Sequence, residues 1–117
     1  MITVEPRAFD VILKRENSEE LHGFANVQGV SREKGGLVLY FDMNGQCMFV
    51  GKARKMRQRI KKHLQDQGSP LTPYRKEIST IKIYYIDSPV EREMLETYFI
   101  NHERAKYNYD KAFFKEA

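Results

Sequence analysis

The stretch that most constrains this chain runs from Leu37 to Val50. Residues 37–42, Leu-Val-Leu-Tyr-Phe-Asp, have the β-branched and aromatic content of a strand, and Cys47-Met48-Phe49-Val50 reads as another. Between them, Asn44-Gly45 supplies residues that tolerate positive φ in a tight type I′ turn, so the two segments are expected to pair as an antiparallel hairpin. Gly51 then releases the chain into a helix over Ala53 to Gln65. There Ala53, Met56, Ile60 and Leu64 recur at helical spacing as one apolar stripe, and everything else is cationic or polar.

The remaining elements follow from pattern and punctuation. Ile78 to Ile86 alternates as a third strand, with Ile81, Ile83 and Tyr85 on one face. Ser88-Pro89 with Glu91 matches an N-cap, a proline at the first helical position and a capping-box acid, which predicts a helix to His102 with Val90, Met94, Leu95, Tyr98 and Phe99 as a broad apolar surface. Before the hairpin, Phe9, Ile12 and Leu13 are spaced for a short helix within Pro6 to Leu21, and the aromatic tail Tyr107 to Phe114 is expected to fold back. The expected class is α+β, a small three-stranded antiparallel sheet flanked by helices. With 117 residues and no repeat, one domain is the simplest organisation: a 1–35 N-terminal extension, a 36–110 core and a 111–117 tail.

Twenty Lys and Arg against 16 Asp and Glu give a formal charge of +4, which favours polyanionic partners without naming one. The distribution says more, because Lys52, Arg54, Lys55, Arg57, Arg59, Lys61 and Lys62 crowd one short stretch. A local cationic surface is expected there. Cys47 stands alone and no apolar leader follows Met1, so the chain reads as cytoplasmic. Its longest apolar run, Leu37 to Phe41, is far short of the about 20 residues that cross a bilayer. His22, His63 and His102 are scattered without thiolate neighbours, which argues against a closed zinc site.

Hydrolysis of a phosphodiester needs a positioned water, stabilisation of charge on nonbridging oxygens and usually a divalent metal. Arg59 and His63 are one helical turn apart, and Lys52 lies seven residues before Arg59, so the three are expected on one side. Arg59 suits bidentate pairing with phosphate, and His63 titrates where it can accept a proton. Arg54, Lys55, Lys61 and Lys62 are candidates for nucleic-acid contacts. The same basic face can equally be a plain solvated surface. Glu96 sits beside Phe99 and Ile100 on the helical wheel, either as an oxygen ligand for Mg²⁺ or Mn²⁺ or as an ion-pair partner of Arg92.

The order hairpin, basic helix, third strand and acidic helix resembles the GIY-YIG nuclease superfamily, with particular similarity to the N-terminal endonuclease domain of the UvrC type. Gly36-Leu37-Val38 and Phe49-Val50-Gly51 correspond to the two strand motifs, followed by Lys52-Ala53-Arg54, Arg59, the Glu96 segment and Lys106-Tyr107-Asn108. The resemblance implies that Arg59 stabilises the scissile phosphate, Glu96 binds one divalent metal, Mg or Mn, and Lys52 orients phosphate or water. Gly51 and Asn108 support the site, and His63 matches a proton-transfer histidine of some members. Val38 and Phe49 depart from the pattern, since each stands where the family has a tyrosine. Tyr40, two residues beyond Val38 and on the same strand face, either supplies a substitute hydroxyl or is a packed sheet aromatic.

The implied function is metal-dependent DNA endonuclease, with a place in DNA repair. Its rivals are a catalytically impaired GIY-YIG-fold module that binds DNA and a protein-interaction scaffold. Because the sequence holds neither a second nuclease domain nor helix-hairpin-helix modules, targeting is expected from a protein partner or a homodimer.

Overall fold

The computed structural model describes residues 8–65 and 68–108. Four antiparallel strands form its centre: β1 (Val11–Lys14), β2 (Gly36–Asp42), β3 (Cys47–Ala53) and β4 (Ile78–Tyr85), in the spatial order β1-β4-β2-β3. The α+β class is as expected, but the sheet has four strands, not three. The helix expected around Phe9, Ile12 and Leu13 is replaced by β1, which pairs with β4 from Val11↔Ile83 to Lys14↔Thr80. Burial there has a period of two: Leu13 is buried while Ile12 is 38% exposed. Two β-branched neighbours suit an edge strand better than a helix, and the expected start at Pro6 lies outside the described residues.

β2 is flanked by β3 and β4 and buried along its whole length. A strand covered on both faces reads as a continuous apolar run, which is why residues 37–41 show little alternation. One face carries Val38, Tyr40, Ile81 and Ile83 against α1 (Met56–Gln65) and the segment containing Phe24, Val27 and Val30. The opposite face carries Leu37, Leu39, Val50 and Tyr84 against Ile100 of α2 (Pro89–His102).

The β2–β3 hairpin forms, with a different turn. Within residues 43–46 Gly45 alone has positive φ, 79°, whereas a type I′ turn needs it at both central residues. Asp42 explains the longer loop. Its carbonyl accepts the Gly45 N–H at 3.0 Å, and its Oδ1 accepts the N–H groups of Asn44 at 2.9 Å and Gln46 at 3.0 Å. Such an aspartate turn satisfies the loop backbone through the side chain.

Helix α1 also starts later than its stripe suggests. Ala53 is the last residue of β3, and the Met56 N–H bonds the Lys34 carbonyl at 3.0 Å as the helix begins. Met56, Ile60 and Leu64 then point into the core. For α2, the boundaries and cap are as expected, with the Ser88 hydroxyl accepting the Glu91 N–H at 3.2 Å. Its buried face is narrower than the predicted surface: Val90 is 70% and Met94 48% exposed, while Glu96 and Ile100 are buried.

Gly36 fixes the close approach of β2 to β4, because a Cβ there would run into the backbone carbonyl of Tyr84. The obstacle is main chain, so it cannot swing aside. Gly36→Ala is expected to destabilise the fold by about 1–3 kcal/mol, read as a lower urea midpoint at unchanged slope.

Candidate active site

The exposed edge strand β3 organises the site, because its last residues lie between the two helices. Lys52 leaves β3 on the α2 side and forms an ion pair with Glu93. Arg59 leaves α1 on the other side. Both nevertheless line one groove of about 250 Å³ that wraps the end of the strand, together with Arg54, Pro89 and Arg92. The groove has no carboxylate among its described lining residues, so it presents a cationic surface to any ligand.

Arg92 is held there by its framework contacts. Its Nε donates to the Ile86 carbonyl at 2.6 Å and its Nη2 to that of Asp87 at 3.2 Å. Gly35 makes room for it, since a Cβ at Gly35 would come within 2.7 Å of the Arg92 guanidinium. Arg92 and Glu93 lie three and four residues after Pro89, and Glu96 lies four and three residues after them, so the four share one side of α2. Glu96 is thus placed one turn beyond the groove-lining residues, with only 9% of its surface exposed.

Lys52 does not share a helix face with Arg59 and His63, contrary to the expectation from spacing. The expectation extended one helix back through Lys52, whereas β3 continues to Ala53 and the helix begins three residues later. His63 turns inward, 8% exposed, edge-on to Phe49 at 5.3 Å and to Tyr40 at 5.6 Å between ring centroids. Its Nδ1 shares a 2.7 Å hydrogen bond with Ser69 Oγ, and its backbone carbonyl accepts from Arg75 Nε at 2.8 Å.

The bare α-carbon of Gly51 faces this cluster. A Cβ there would lie 3.3 Å from Phe49, 3.6 Å from Val38 and 3.7 Å from His63 Nε2. Val38 and Phe49 therefore gather around the same point as His63. Tyr40 lies deeper, fully buried, with a hydroxyl that has no hydrogen-bond partner among the described residues. Burial drives its phenol well above its ordinary range, against the pull of Arg59, so it remains protonated. It can donate a hydrogen bond but cannot serve as a base. Burial likewise pushes the Cys47 thiol up to about 12, which removes it as a nucleophile.

Asn108 closes part of the β3 edge. Its Oδ1 accepts the Val50 N–H at 2.8 Å and its Nδ2 donates to the Val50 carbonyl at 2.9 Å, imitating a neighbouring strand. The preceding residues reinforce it: the N–H groups of Lys106 and Tyr107 bond the carbonyls of Cys47 and Met48 at 3.3 and 2.8 Å. Tyr107 stacks on Tyr74 at 3.8 Å, and Lys106 pairs with Asp42 at 3.1 Å. The fold-back expected from Tyr107 begins in this way; residues 109–114 lie outside the described residues.

Lys55, Lys61 and Lys62 line broader grooves beside the first, over the outer face of α1. Reading the sequence missed Gly35, Ser69 and Arg75, and it named Arg92 only as an ion-pair partner for Glu96, not as a residue of the groove. Ser69 and Arg75 reach His63 through a loop whose path no local pattern specifies.

With this geometry in place, the comparison with known proteins defines the class: residues 34–109 match the UvrC-like GIY-YIG domain, and the chain belongs to that family. It is 47% identical over 95 residues to the uncharacterized protein YurQ of Bacillus subtilis (strain 168), covering 81% of this chain and 77% of YurQ. It is 29% identical to UvrABC system protein C of Helicobacter pylori (strain Shi470), over 62% of this chain and only 14% of that protein's length. The GIY-YIG N-terminal endonuclease domain of UvrC from Thermotoga maritima, solved bound to its catalytic divalent cation, magnesium, superimposes with a TM-score of 0.63 at 20% identity. That match covers 73% of this chain and 98% of the other.

Removing the Asn108 amide strands both backbone groups of Val50 at a half-buried edge. Asn108→Ala is expected to cost about 1–3 kcal/mol, and hydrogen exchange at the Val50 amide should accelerate more than exchange in β4.

Proposed function

We propose that this chain is a divalent-metal-dependent DNA endonuclease that hydrolyses phosphodiester bonds, acting in the cytoplasm in DNA repair. The observation that carries the reading is the convergence of Lys52, Arg54, Arg59 and Arg92 on the groove at the end of β3, with the buried carboxylate of Glu96 on the same side of α2. Membership of the UvrC-like GIY-YIG family supports it. No helix among the described residues is long and apolar enough to cross a membrane.

In this reading Arg59 offers its planar fork to the nonbridging oxygens of the scissile phosphate, where charge accumulates as the bond breaks. Lys52 is held over the groove by Glu93 and adds a second positive charge. Arg54, Lys55, Lys61 and Lys62 hold the flanking backbone. His63, with Nδ1 engaged by Ser69, presents Nε2 towards Gly51 and supplies the proton acceptor for water. Gly51 keeps that approach open, and Asn108 holds the strand that carries both Gly51 and Lys52.

The donor set fits a hard cation. Glu96 is a single buried carboxylate, and no group of three or more His, Cys, Asp or Glu side chains able to cage a metal occurs among the described residues. Mg²⁺ or Mn²⁺ is held in this manner, through one or two carboxylates with retained waters. Glu96 would hold the ion, which would supply charge neutralisation at the leaving oxygen. Targeting then rests on a protein partner or a second copy of the chain.

A second reading has one specific observation behind it. Val38 and Phe49 surround Gly51 with hydrocarbon, and Tyr40 keeps its hydroxyl buried, so water is less well oriented than two tyrosines would make it. Under that reading the chain is a DNA-binding module without cleavage.

Wild type, Arg59→Ala and Glu96→Ala should be assayed on supercoiled and bubble-containing DNA with Mg²⁺, Mn²⁺ and excess chelator. The endonuclease reading expects cleavage that is abolished by chelator and by Glu96→Ala. Arg59→Ala should lower it by about 10²–10³-fold, with circular dichroism unchanged in both variants. Salt-sensitive DNA binding without cleavage, indifferent to Glu96→Ala, would establish the binding module instead.

A further inference from the structure

The grooves over α1 continue past the catalytic candidates onto a part of the chain that precedes the family's matched span of residues 34–109. The groove at the end of β3 shares Arg54 and Arg59 with a second of about 450 Å³. This second groove in turn shares Lys55, Gln58 and Lys62 with a third of about 690 Å³. Gln28, Arg32 and Glu33 of the N-terminal extension form the far wall of that third groove. Among the described residues Glu33 is the one acidic side chain lining the track; every other charged one is Lys or Arg.

The far wall is fixed in place rather than loosely apposed. Arg57 on α1 donates from Nε to the Val30 carbonyl at 2.8 Å, and from Nη2 to that of Gln28 at 2.8 Å. The Ser31 N–H bonds the Tyr85 hydroxyl at 2.9 Å, and the Ser31 hydroxyl accepts the N–H groups of Glu33 and Lys34 at 3.2 and 3.1 Å. Lys34 then accepts the first N–H of α1. Phe24, Val27 and Val30 anchor the same segment in the core. These tethers order the backbone around Arg32 before any ligand arrives, which reduces the ordering cost of binding.

We propose that residues 28–33 are a second part of the DNA interface: they bind the phosphodiester backbone on one flank of the scissile phosphate, extending the track that begins at Arg59. The chemistry recognised is a run of phosphates, and Gln28 and Gln58 add neutral donors for phosphate or sugar oxygens. This deepens the endonuclease reading and rests on it only for DNA being the polyanion.

Arg32 and Glu33 carry the test because both are exposed and neither side chain makes a hydrogen bond among the described residues, so exchanging them leaves the tethers whole. Binding of a fluorescent 20-base-pair duplex would be followed by anisotropy with chelator present, across a salt series, for wild type, Arg32→Ala and Glu33→Gln. The proposal expects Arg32→Ala to weaken binding and reduce the slope of log K against log salt by about 0.9, the loss of one phosphate contact. Glu33→Gln should tighten binding at low salt, since it removes a negative charge from the track. Opposite effects of two neighbouring substitutions cannot arise from a shared folding defect. Wild-type affinity and slope in both variants would overturn the proposal and leave the endonuclease reading standing. Failure of the wild type itself to bind DNA at low salt would overturn both.

Discussion

The open edge of β3 is the constraint on which the rest of the structure depends. A strand at the margin of a sheet exposes a row of backbone N–H and C=O groups that must find partners or water. Over Cys47 to Val50 the chain closes this row with residues 106–108, Asn108 acting as a one-residue strand against Val50. Asp42 helps to hold that closing segment. Burial opposes its ionisation, yet the Gln46 N–H, the Lys106 ammonium and the Asn44 N–H together keep its carboxyl below the ordinary range, so the Lys106 contact is a charged one. Among the described residues the closure reaches Val50, and beyond it Lys52 and Ala53 enter the groove that also receives Arg59 and Arg92.

The sheet then acts as a partition. On one side His63, Phe49, Val38 and Tyr40 make a sparsely polar cluster around Gly51; on the other, Lys52 and Glu93 lie against α2. Ligand and protein meet at the strand end, where the two sides join. The arginines divide between framework and groove, with Arg57 and Arg92 serving in both. Arg15, Arg57, Arg75 and Arg92 donate to backbone carbonyls and fix the segments that they join. Arg54 and Arg59 are exposed over the groove and remain available to an anion. Net charge alone does not separate these uses; hydrogen bonding does.

Much of this was legible in the sequence where local rules and tertiary packing agree. The hairpin, the apolar stripe of α1 and the Ser88-Pro89 cap of α2 each combine a periodic pattern with a recognisable boundary. The misreadings share a cause, which is a contact distant in sequence. Val11 to Lys14 read locally as helix because only β4 reveals which of them face inward. The type I′ turn was inferred from Asn44-Gly45, but the Asp42 side chain reorganised the loop. Glu96 stood out because a carboxylate beside Ile100 is unusual, and its burial justifies the attention. Continuing the helix back through Lys52 puts that residue, not His63, on the wrong element, and the Ser69 and Arg75 partners of His63 depend on a chain path that no motif encodes.

The central claim is that Glu96 holds a single divalent ion beside the cationic groove at the end of β3. Paramagnetic line broadening by Mn²⁺, followed in the amide spectrum of the isotopically labelled protein without DNA, tests it most directly. Broadening should centre on the amides of Lys52, Ala53, Arg92 and Glu96, saturate with added Mn²⁺, reverse with excess Mg²⁺ and vanish in Glu96→Gln. Saturable broadening centred elsewhere, or a pattern unchanged in Glu96→Gln, would contradict the account.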